Sequence, residues 1–202
     1  QDNDPIDRQR PTLNDVSISD SAMKVGDAVS VTITANEVGL TLTSGTVNGV
    51  AVTDFTDNSD GTYSATYTVT EGDTDIAAGD DIPVSFILAD PAGNDSVEFT
   101  AAISQSSDAI DANTPTISAV NVTVGEANVG DQVTVTITAS ETGLSLANGT
   151  VNGVTVTGFT DNNDGTYSAI YTVVEGNTDR VAGEAIPVAF VLEDSVGNTS
   201  SE

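Results

Sequence analysis

The chain has 202 residues, enough for two small domains, and its 31 acidic and 4 basic residues give a formal net charge of −27. A surface of this sign repels nucleic acid and anionic membranes, so neither is expected as a partner, and divalent cations are the natural counter-charge. His and Cys are absent, which removes the commonest general base, the thiol nucleophile and the usual zinc and copper ligands. We therefore expect no catalytic residues, no small-molecule substrate and no membrane insertion.

From residue 13 onward, short apolar stretches alternate with turn residues along the chain, which is typical of β-strands. A first strand is predicted over 13–18. Apolar and polar residues then alternate strictly over 29–34, the pattern of a half-buried strand. Residues 40–52 predict two short strands that meet at the turn residues Asn48 and Gly49.

The pattern continues to residue 103. Residues 57–61 end in Asp60-Gly61 and predict a hairpin turn, because such turns need positive φ angles that Gly adopts readily. The following strand places Tyr63 and Tyr67 on one face together with Ala65 and Val69. After an acidic loop come a strand over 82–88, a turn over 90–94 and a last strand over 97–103.

Residues 115–202 repeat residues 11–98 without a gap. Each residue lies 104 positions after its counterpart, and about three in five aligned residues are identical. Solenoid repeats are shorter, roughly 20–50 residues, so this repeat is a whole domain. We expect an all-β fold of tandem immunoglobulin-like Greek-key β-sandwiches joined end to end. The predicted limits are a linker over 1–10, repeat 1 over 11–104, a linker over 105–114, and repeat 2 over 115–202 with an incomplete last strand.

Three motifs occur in both copies. They are Asp-Gly-Thr-Tyr-Ser-Ala-x-Tyr-Thr-Val at 60–69 and 164–173, Glu-Gly-x-Thr-Asp at 71–75 and 175–179, and Asp-x-x-Gly-Asn at 90–94 and 194–198. With these motifs the chain resembles the bacterial immunoglobulin-like domains repeated in giant surface adhesins of the RTX type, including biofilm adhesins. The resemblance implies secretion to the cell surface and a non-catalytic extender (spacer) function in cell adhesion. It also implies neighbouring repeats as partners and calcium that stiffens the joints.

The acidic loops predict calcium sites, because Ca²⁺ takes roughly 6–8 oxygen ligands from carboxylates, carbonyls and water. In a sandwich the loops after the second, fourth and sixth strands lie at the end where the chain enters. For copy 2 that end faces the joint, so its loops would converge with the joint residues. The candidates there are Asp108, Asp111, Asn113, Glu141, Asp161 and Asp194. Their counterparts in copy 1 are Asp4, Asp7, Glu37, Asp57 and Asp90, while Glu71, Asp73 and Asp75 would face the joint from the other side.

Several of these residues also have a simpler interpretation. Asp90 and Asp194, together with Asp164 beside Asp161 and its counterpart Asp60, can either contribute to a metal site or act as ordinary turn residues, because Asp bonds its own backbone in such turns. Both interpretations remain open at this stage. Residues 56–61 faintly resemble an EF-hand loop, but Tyr67 stands where the bidentate Glu belongs, so an EF-hand is rejected.

Two other functions compete with the spacer. The first is a carbohydrate- or protein-binding module that uses the tyrosine stripes as a stacking platform. Strict alternation of these tyrosines with Ala and Val favours a place in the core instead. The second is an accessory domain of a secreted hydrolase, which needs a catalytic domain elsewhere. Both copies keep nearly the same Asp, Gly and Asn loops and few aromatic residues, which favours a spacer over a binding module.

Overall fold

A computed structural model describes residues 8–19, 21–104, 109–123 and 125–202. Its regular structure in these ranges consists of β-strands alone. No helix among the described residues is long and apolar enough to cross a membrane. The chain divides into two compact units, with the boundary between Asn113 and Thr114. We call them unit 1 and unit 2.

Unit 1 contains two antiparallel sheets and one short parallel pair. Its strands are β1 (Leu13–Ile18), β2 (Met23–Lys24), β3 (Ala28–Ala35), β4 (Thr41–Val47), β5 (Val50–Ala51), β6 (Thr53–Asp57), β7 (Thr62–Thr68), β8 (Val84–Ala89) and β9 (Ile110–Asp111). One sheet has the order β1-β3-β7-β6 and the other has the order β5-β4-β8. The strands β2 and β9 pair in parallel.

Unit 2 repeats the two antiparallel sheets. Its strands are β10 (Ile117–Val122), β11 (Gln132–Ala139), β12 (Ser145–Val151), β13 (Val154–Thr155), β14 (Thr157–Asp161), β15 (Thr166–Thr172) and β16 (Val188–Glu193). The sheet orders are β10-β11-β15-β14 and β13-β12-β16. They match those of unit 1 strand for strand, as the gapless repeat requires.

Each unit is an immunoglobulin-like Greek-key β-sandwich. The chain leaves the first sheet after β3, forms β4 and β5 in the second, returns for β6 and β7, and crosses again to β8. This is the strand arrangement of immunoglobulin-like domains. Apolar side chains of both sheets, such as Ile33 and Phe86, belong to one buried cluster in unit 1, so the sheets pack face to face. The predicted fold class is confirmed.

The tyrosine stripes lie in this core. Tyr63, Tyr67 and Tyr167 are fully buried, and Tyr171 is 7% exposed. Phe55 stacks on Tyr63 with ring centroids 5.3 Å apart, and the corresponding pair in unit 2 has centroids 5.2 Å apart. A surface platform for carbohydrate stacking built on these rings is therefore excluded.

A close cross-strand contact explains one glycine of the repeated Gly-Thr-Val-Asn-Gly sequence, because Gly45 lies directly opposite Phe86 in the pairing of β4 and β8. A Cβ placed on Gly45 would lie 2.6 Å from Cε1 of the Phe86 ring, and Phe86 is fully buried. The same overlap recurs between Gly149 and Phe190, at 2.9 Å. Glycine at this position lets a large aromatic ring lie directly on the backbone of the neighbouring strand in the same sheet.

Two details differ from the sequence predictions. The repeat predicts the same burial for Val188 as for its counterpart Val84, but Val188 is 39% exposed and Val84 is 6% exposed. In unit 1 a segment with bridges at Phe99 and Ile103 runs beside β8. Residues 97–103 were predicted to form a continuous strand. Within this range Phe99 and Ile103 make only isolated bridges, to Phe86 of β8 and to Ile82 just before β8.

Candidate metal-binding loops

Three loops of unit 1 meet at the end where the chain enters it, which we call the apical end. The Thr12 N–H donates to Oδ1 of Asn36 at 2.8 Å, and this contact brings the entering chain to the loop after β3. The N–H of Gly39 in that loop donates to Oδ2 of Asp57, also at 2.8 Å. A Cβ on Gly39 would lie 4.0 Å from Cγ of Pro91, which places the 90–94 turn beside it. The expected convergence of these loops is therefore present in unit 1.

Tyr63 connects two backbone groups of the apical end through its hydroxyl group. Its hydroxyl donates to the carbonyl oxygen of Glu37 at 2.9 Å and accepts from the N–H of Leu40 at 3.1 Å. Burial raises the pKa of Tyr63, and the nearby carboxylates of Asp57 and Glu37 raise it further, against the lowering effect of the bond from Leu40. The phenol therefore stays neutral near pH 7 and serves as a two-sided hydrogen-bonding group.

Unit 2 has the same arrangement. The Thr116 N–H donates to Oγ of Ser140 at 3.0 Å, and the Gly143 N–H donates to Oδ2 of Asp161 at 2.7 Å. The Tyr167 hydroxyl donates to the carbonyl oxygen of Glu141 at 3.0 Å. Glu141 and Asp161 thus correspond to Glu37 and Asp57. The carbonyl oxygen of Glu141 and the carboxylate of Asp161 accept the hydrogen bonds that hold the apical loops of unit 2.

Asp90 and Asp194 hold the turns in which they occur. Asp90 is 4% exposed, and its two carboxylate oxygens accept from the backbone N–H and the side-chain amide of Asn94, both at 2.8 Å. One oxygen of Asp194 accepts from three backbone N–H groups, those of residues 196, 197 and 198, at 2.8–2.9 Å. These bonds are the turn chemistry expected from the Asp-x-x-Gly-Asn motif.

Two hydrogen bonds from Asn94 lower the pKa of Asp90, and the bond from the Asn94 side chain has a larger effect than the bond from its backbone. The pKa of Asp60 is lowered in the same way, mainly by the hydroxyl of Thr62, which donates to Oδ1 at 2.6 Å. A lowered pKa in the folded state means that the ionised carboxylate stabilises the fold. This contribution is present above the unfolded pKa of about 3.9 and is lost as the pH falls through the folded pKa.

The opposite end of unit 1, the basal end, incorporates residues 109–113, which we call the exit segment. Ile110 is 1% exposed and Ala112 is fully buried. The N–H groups of Met23 and Gly72 donate to the carbonyl oxygens of Ala109 and Ala112, each at 2.8 Å. Ile110 exchanges two backbone hydrogen bonds with Ile76, each 2.9 Å long. This differs from the predicted linker over 105–114, because the apolar side chains of 110 and 112 are part of the unit 1 core.

Asp75 connects the basal loop to the exit segment. Its Oδ1 accepts from the Ala112 N–H at 2.8 Å and from the Asn113 side-chain amide at 2.9 Å. Its Oδ2 accepts from the same amide at 3.0 Å. The backbone N–H of Asn113 donates to Oδ1 of Asp111 at 3.2 Å. Three of the predicted ligands, Asp75, Asp111 and Asn113, therefore form one hydrogen-bonded group at the basal end.

The remaining candidates have separate positions. Asp73 closes its own loop, since its Oδ2 accepts from the Thr70 N–H at 2.8 Å. Glu71 lies exposed on the same loop. Asp4, Asp7 and Asp108 lie outside the described residues.

Across the described ranges, no three acidic residues come close enough to form a carboxylate cluster that would hold a metal ion. A calcium site at the basal end would therefore draw on the carboxylates of Asp75 and Asp111, the amide oxygen of Asn113, backbone carbonyls and water. This mixture is a normal ligand set for Ca²⁺, which accepts neutral oxygen donors alongside carboxylates.

No protein-family model matches the sequence, and the comparison with curated proteins finds no match. Among solved structures, the chain is similar to the fibronectin(III)-like modules of Clostridium thermocellum CbhA, with 15% sequence identity and a TM-score of 0.34, over 92% of this chain and 89% of that one. It is also similar to a DUF4785 family protein from Legionella pneumophila, with 12% identity and a TM-score of 0.32, over 91% of this chain and 53% of that one. The chain thus spans about half of the Legionella protein. Values this low identify no function.

Two roles at these ends were missing from the sequence analysis. The hydroxyl of Tyr63 fixes the apical loop, and Ile110 anchors the exit segment. A signal for the second was present in the sequence, because Ile6 and Ile110 occupy matching positions between matching Asp residues. An apolar residue repeated inside an acidic linker indicates burial rather than solvation.

Proposed function

We propose that the two units are non-catalytic extender (spacer) modules of a secreted bacterial cell-surface adhesin, and that calcium bound at the acidic basal end stiffens the array. The proposal concerns what a string of such units does. Neighbouring repeats of the same chain are the partners, and the loops serve as connectors rather than as a recognition surface.

The observation that carries the proposal is the construction of the exit segment. Ile110 and Ala112 are buried in unit 1, and Asn113 is hydrogen-bonded there through Asp75. Only two residues, Thr114 and Pro115, separate Asn113 from Thr116, which is hydrogen-bonded in unit 2. A module that serves as a spacer gains from a short connection, because a long flexible linker would let successive modules move independently.

Charge supplies the reason for calcium. The carboxylates of Asp75 and Asp111 both contact Asn113, in a chain whose net charge is −27. Two carboxylates held this close repel each other, and that repulsion acts against the docked exit segment. A divalent cation offsets the repulsion and adds bonds between the basal loop and the segment.

The setting of a surface adhesin fits this requirement. Extracellular modules commonly bind calcium with dissociation constants near the millimolar range. At free calcium about 100 times the dissociation constant, one site stabilises the bound state by about 2.7 kcal/mol. An extracellular medium supplies far more free calcium than a cytosol. The array would be loose before export and stiffen outside the cell.

Calorimetric titration of the full chain tests the calcium part. After treatment with a chelator, the protein should bind calcium saturably, and the variant carrying both Asp75→Asn and Asp111→Asn should lose that binding. Asp15→Asn, at an exposed position of β1, is the matched control and should bind as the unaltered chain does. Circular dichroism establishes that each variant is folded. If the unaltered chain gives no saturable binding heat, calcium is removed from the proposal and a metal-free spacer remains.

A further inference from the structure

We infer that Asn48 is the positioning residue of the basal end: its side chain fixes the loop that carries Asp75, and through that loop it holds the exit segment on unit 1. Asn48 belongs neither to the predicted calcium ligands nor to the exit segment. Its effect on docking stands on the contacts of unit 1 alone. Its effect on calcium rests on the proposed function.

Three consecutive residues of the loop between β7 and β8 contact two different parts of unit 1. The carbonyl oxygen of Thr74 accepts from the side-chain amide of Asn48 at 2.6 Å. The carboxylate of Asp75 accepts hydrogen bonds from the exit segment, and Ile76 exchanges two backbone hydrogen bonds with it. Residues 74–76 thus connect the sandwich to the exit segment, and Asn48 makes a contact on the sandwich side.

The amide of Asn48 is itself held in place by the sheet β5-β4-β8. Asn48 lies in the turn between β4 and β5, where Val47 pairs with Val50. Its backbone N–H donates to the carbonyl oxygen of Pro83, just before β8, at 2.8 Å. Asn48 is 8% exposed, so water competes little for its amide, and a hydrogen bond lost at such a place is costly. The loop is therefore fastened to a rigid part of the sandwich.

The backbone geometry restricts which residue can make this contact. The φ angle of Asn48 is 50°, in the left-handed region that glycine, asparagine and aspartate tolerate best. Glycine has no side chain that could donate a hydrogen bond. An ionised aspartate accepts hydrogen bonds but donates none, so it would repel the carbonyl oxygen of Thr74. Asparagine alone among the three fits the turn and also donates to the loop.

Unit 2 contains the same contact. Asn152 also has a φ angle of 50°, its side-chain amide donates to the carbonyl oxygen of Thr178 at 2.7 Å, and its N–H donates to that of Pro187 at 2.8 Å. Its Oδ1 also accepts from Nε of Arg180 at 3.0 Å, where unit 1 has Ile76. The contact between turn and loop therefore persists although a neighbouring residue differs.

The same contact bears on the proposed calcium site. Asp75 is one of the two carboxylates that would bind the ion. A ligand that is ordered before the ion arrives loses less conformational freedom on binding, so a fixed loop favours affinity. Loss of the Asn48 amide should therefore weaken calcium binding as well as docking of the exit segment.

Native-state hydrogen exchange of the full chain in chelator tests the docking. Asn48→Gly keeps a residue that tolerates the turn and removes the donor. It should speed exchange of the Ile110 and Ala112 amides roughly tenfold, the effect of one lost buried hydrogen bond. Asn48→Asp should speed them at least as much, because a carboxylate then faces the carbonyl oxygen of Thr74. In the unaltered chain a side-chain amide proton of Asn48 should exchange slowly, which tests the bond without any substitution.

Two controls separate positioning from general destabilisation. Asn152→Gly makes the same change in unit 2 and should leave the Ile110 and Ala112 amides unchanged. Tyr63→Phe removes hydrogen bonds at the apical end; it should lower the stability of unit 1 without speeding these two amides. Unchanged exchange in Asn48→Gly, or equal acceleration in Tyr63→Phe, would overturn the positioning role.

Calorimetric titration with calcium tests the second consequence. Asn48→Gly should bind calcium roughly tenfold more weakly than the unaltered chain, if the loss of one hydrogen bond is passed on in full. Equal affinities would overturn the effect of Asn48 on calcium. An unaltered chain that binds no calcium would instead contradict the proposed function, and the exchange rates of Ile110 and Ala112 would still decide the role of Asn48 in docking.

Discussion

Replacing Ile110 by alanine should lower the free energy of unfolding of unit 1 by about 2–5 kcal/mol, the range for truncating a buried isoleucine. Ile110 is 1% exposed and belongs to the unit 1 core cluster, although it lies after the last β-strand of the sandwich. Urea unfolding followed by unit-specific amide signals separates the two units. Unit 2 should unfold at an unchanged midpoint.

Val97→Ala serves as the control, because Val97 is 76% exposed and its truncation should cost little. Asp111→Ala gives a second comparison, since it removes a carboxylate from the same segment without creating a core cavity. If Ile110→Ala is as mild as Val97→Ala, the exit segment is a solvated linker, as the sequence alone suggested.

Tyr63→Phe should destabilise unit 1 by about 1–3 kcal/mol, whereas Tyr67→Phe should be neutral or slightly stabilising. Both tyrosines are fully buried, but only the Tyr63 hydroxyl bridges two backbone groups, those of Glu37 and Leu40. The Tyr67 hydroxyl has no hydrogen-bond partner within the described part of the chain. The neighbouring amide of Asn48 donates to the carbonyl oxygen of Thr74 instead, at 2.6 Å.

The two substitutions remove the same atom from the same strand, so their difference isolates the bridge. Thermal unfolding of both variants measures it, and Tyr167→Phe should reproduce the Tyr63 result in unit 2, where the hydroxyl makes the same two bonds. Equal losses for Tyr63→Phe and Tyr67→Phe would contradict the assignment of the bridge to Tyr63.

Alternation was sufficient to predict the sandwich. The strict apolar–polar pattern of β3 and β7 places Ile33 and Tyr67 on the inner face, and both are fully buried. Turn residues were equally informative, because Asn48 and Gly49 have the positive φ angles, 50° and 78°, that their hairpin turn requires. Local sequence patterns of this kind depend on neighbours one or two residues away.

The exit segment has no such pattern. Its strand β9 is two residues long and pairs in parallel with β2, more than eighty positions earlier in the chain, so no local periodicity marks it.

The candidate carboxylates posed a different difficulty. An Asp that closes a turn and an Asp that binds calcium have the same sequence context, and only the hydrogen bonds of Asp90 show its place in the turn.

Small-angle X-ray scattering of the full chain, first in calcium and then in excess chelator, tests the calcium-stiffened spacer most directly. We predict a narrow distance distribution in calcium and a broader one, with the curve of a flexible chain, after chelation. The variant carrying both Asp75→Asn and Asp111→Asn should give the chelated curve under both conditions. A maximum dimension and flexibility that chelation leaves unchanged would contradict calcium stiffening at the basal end.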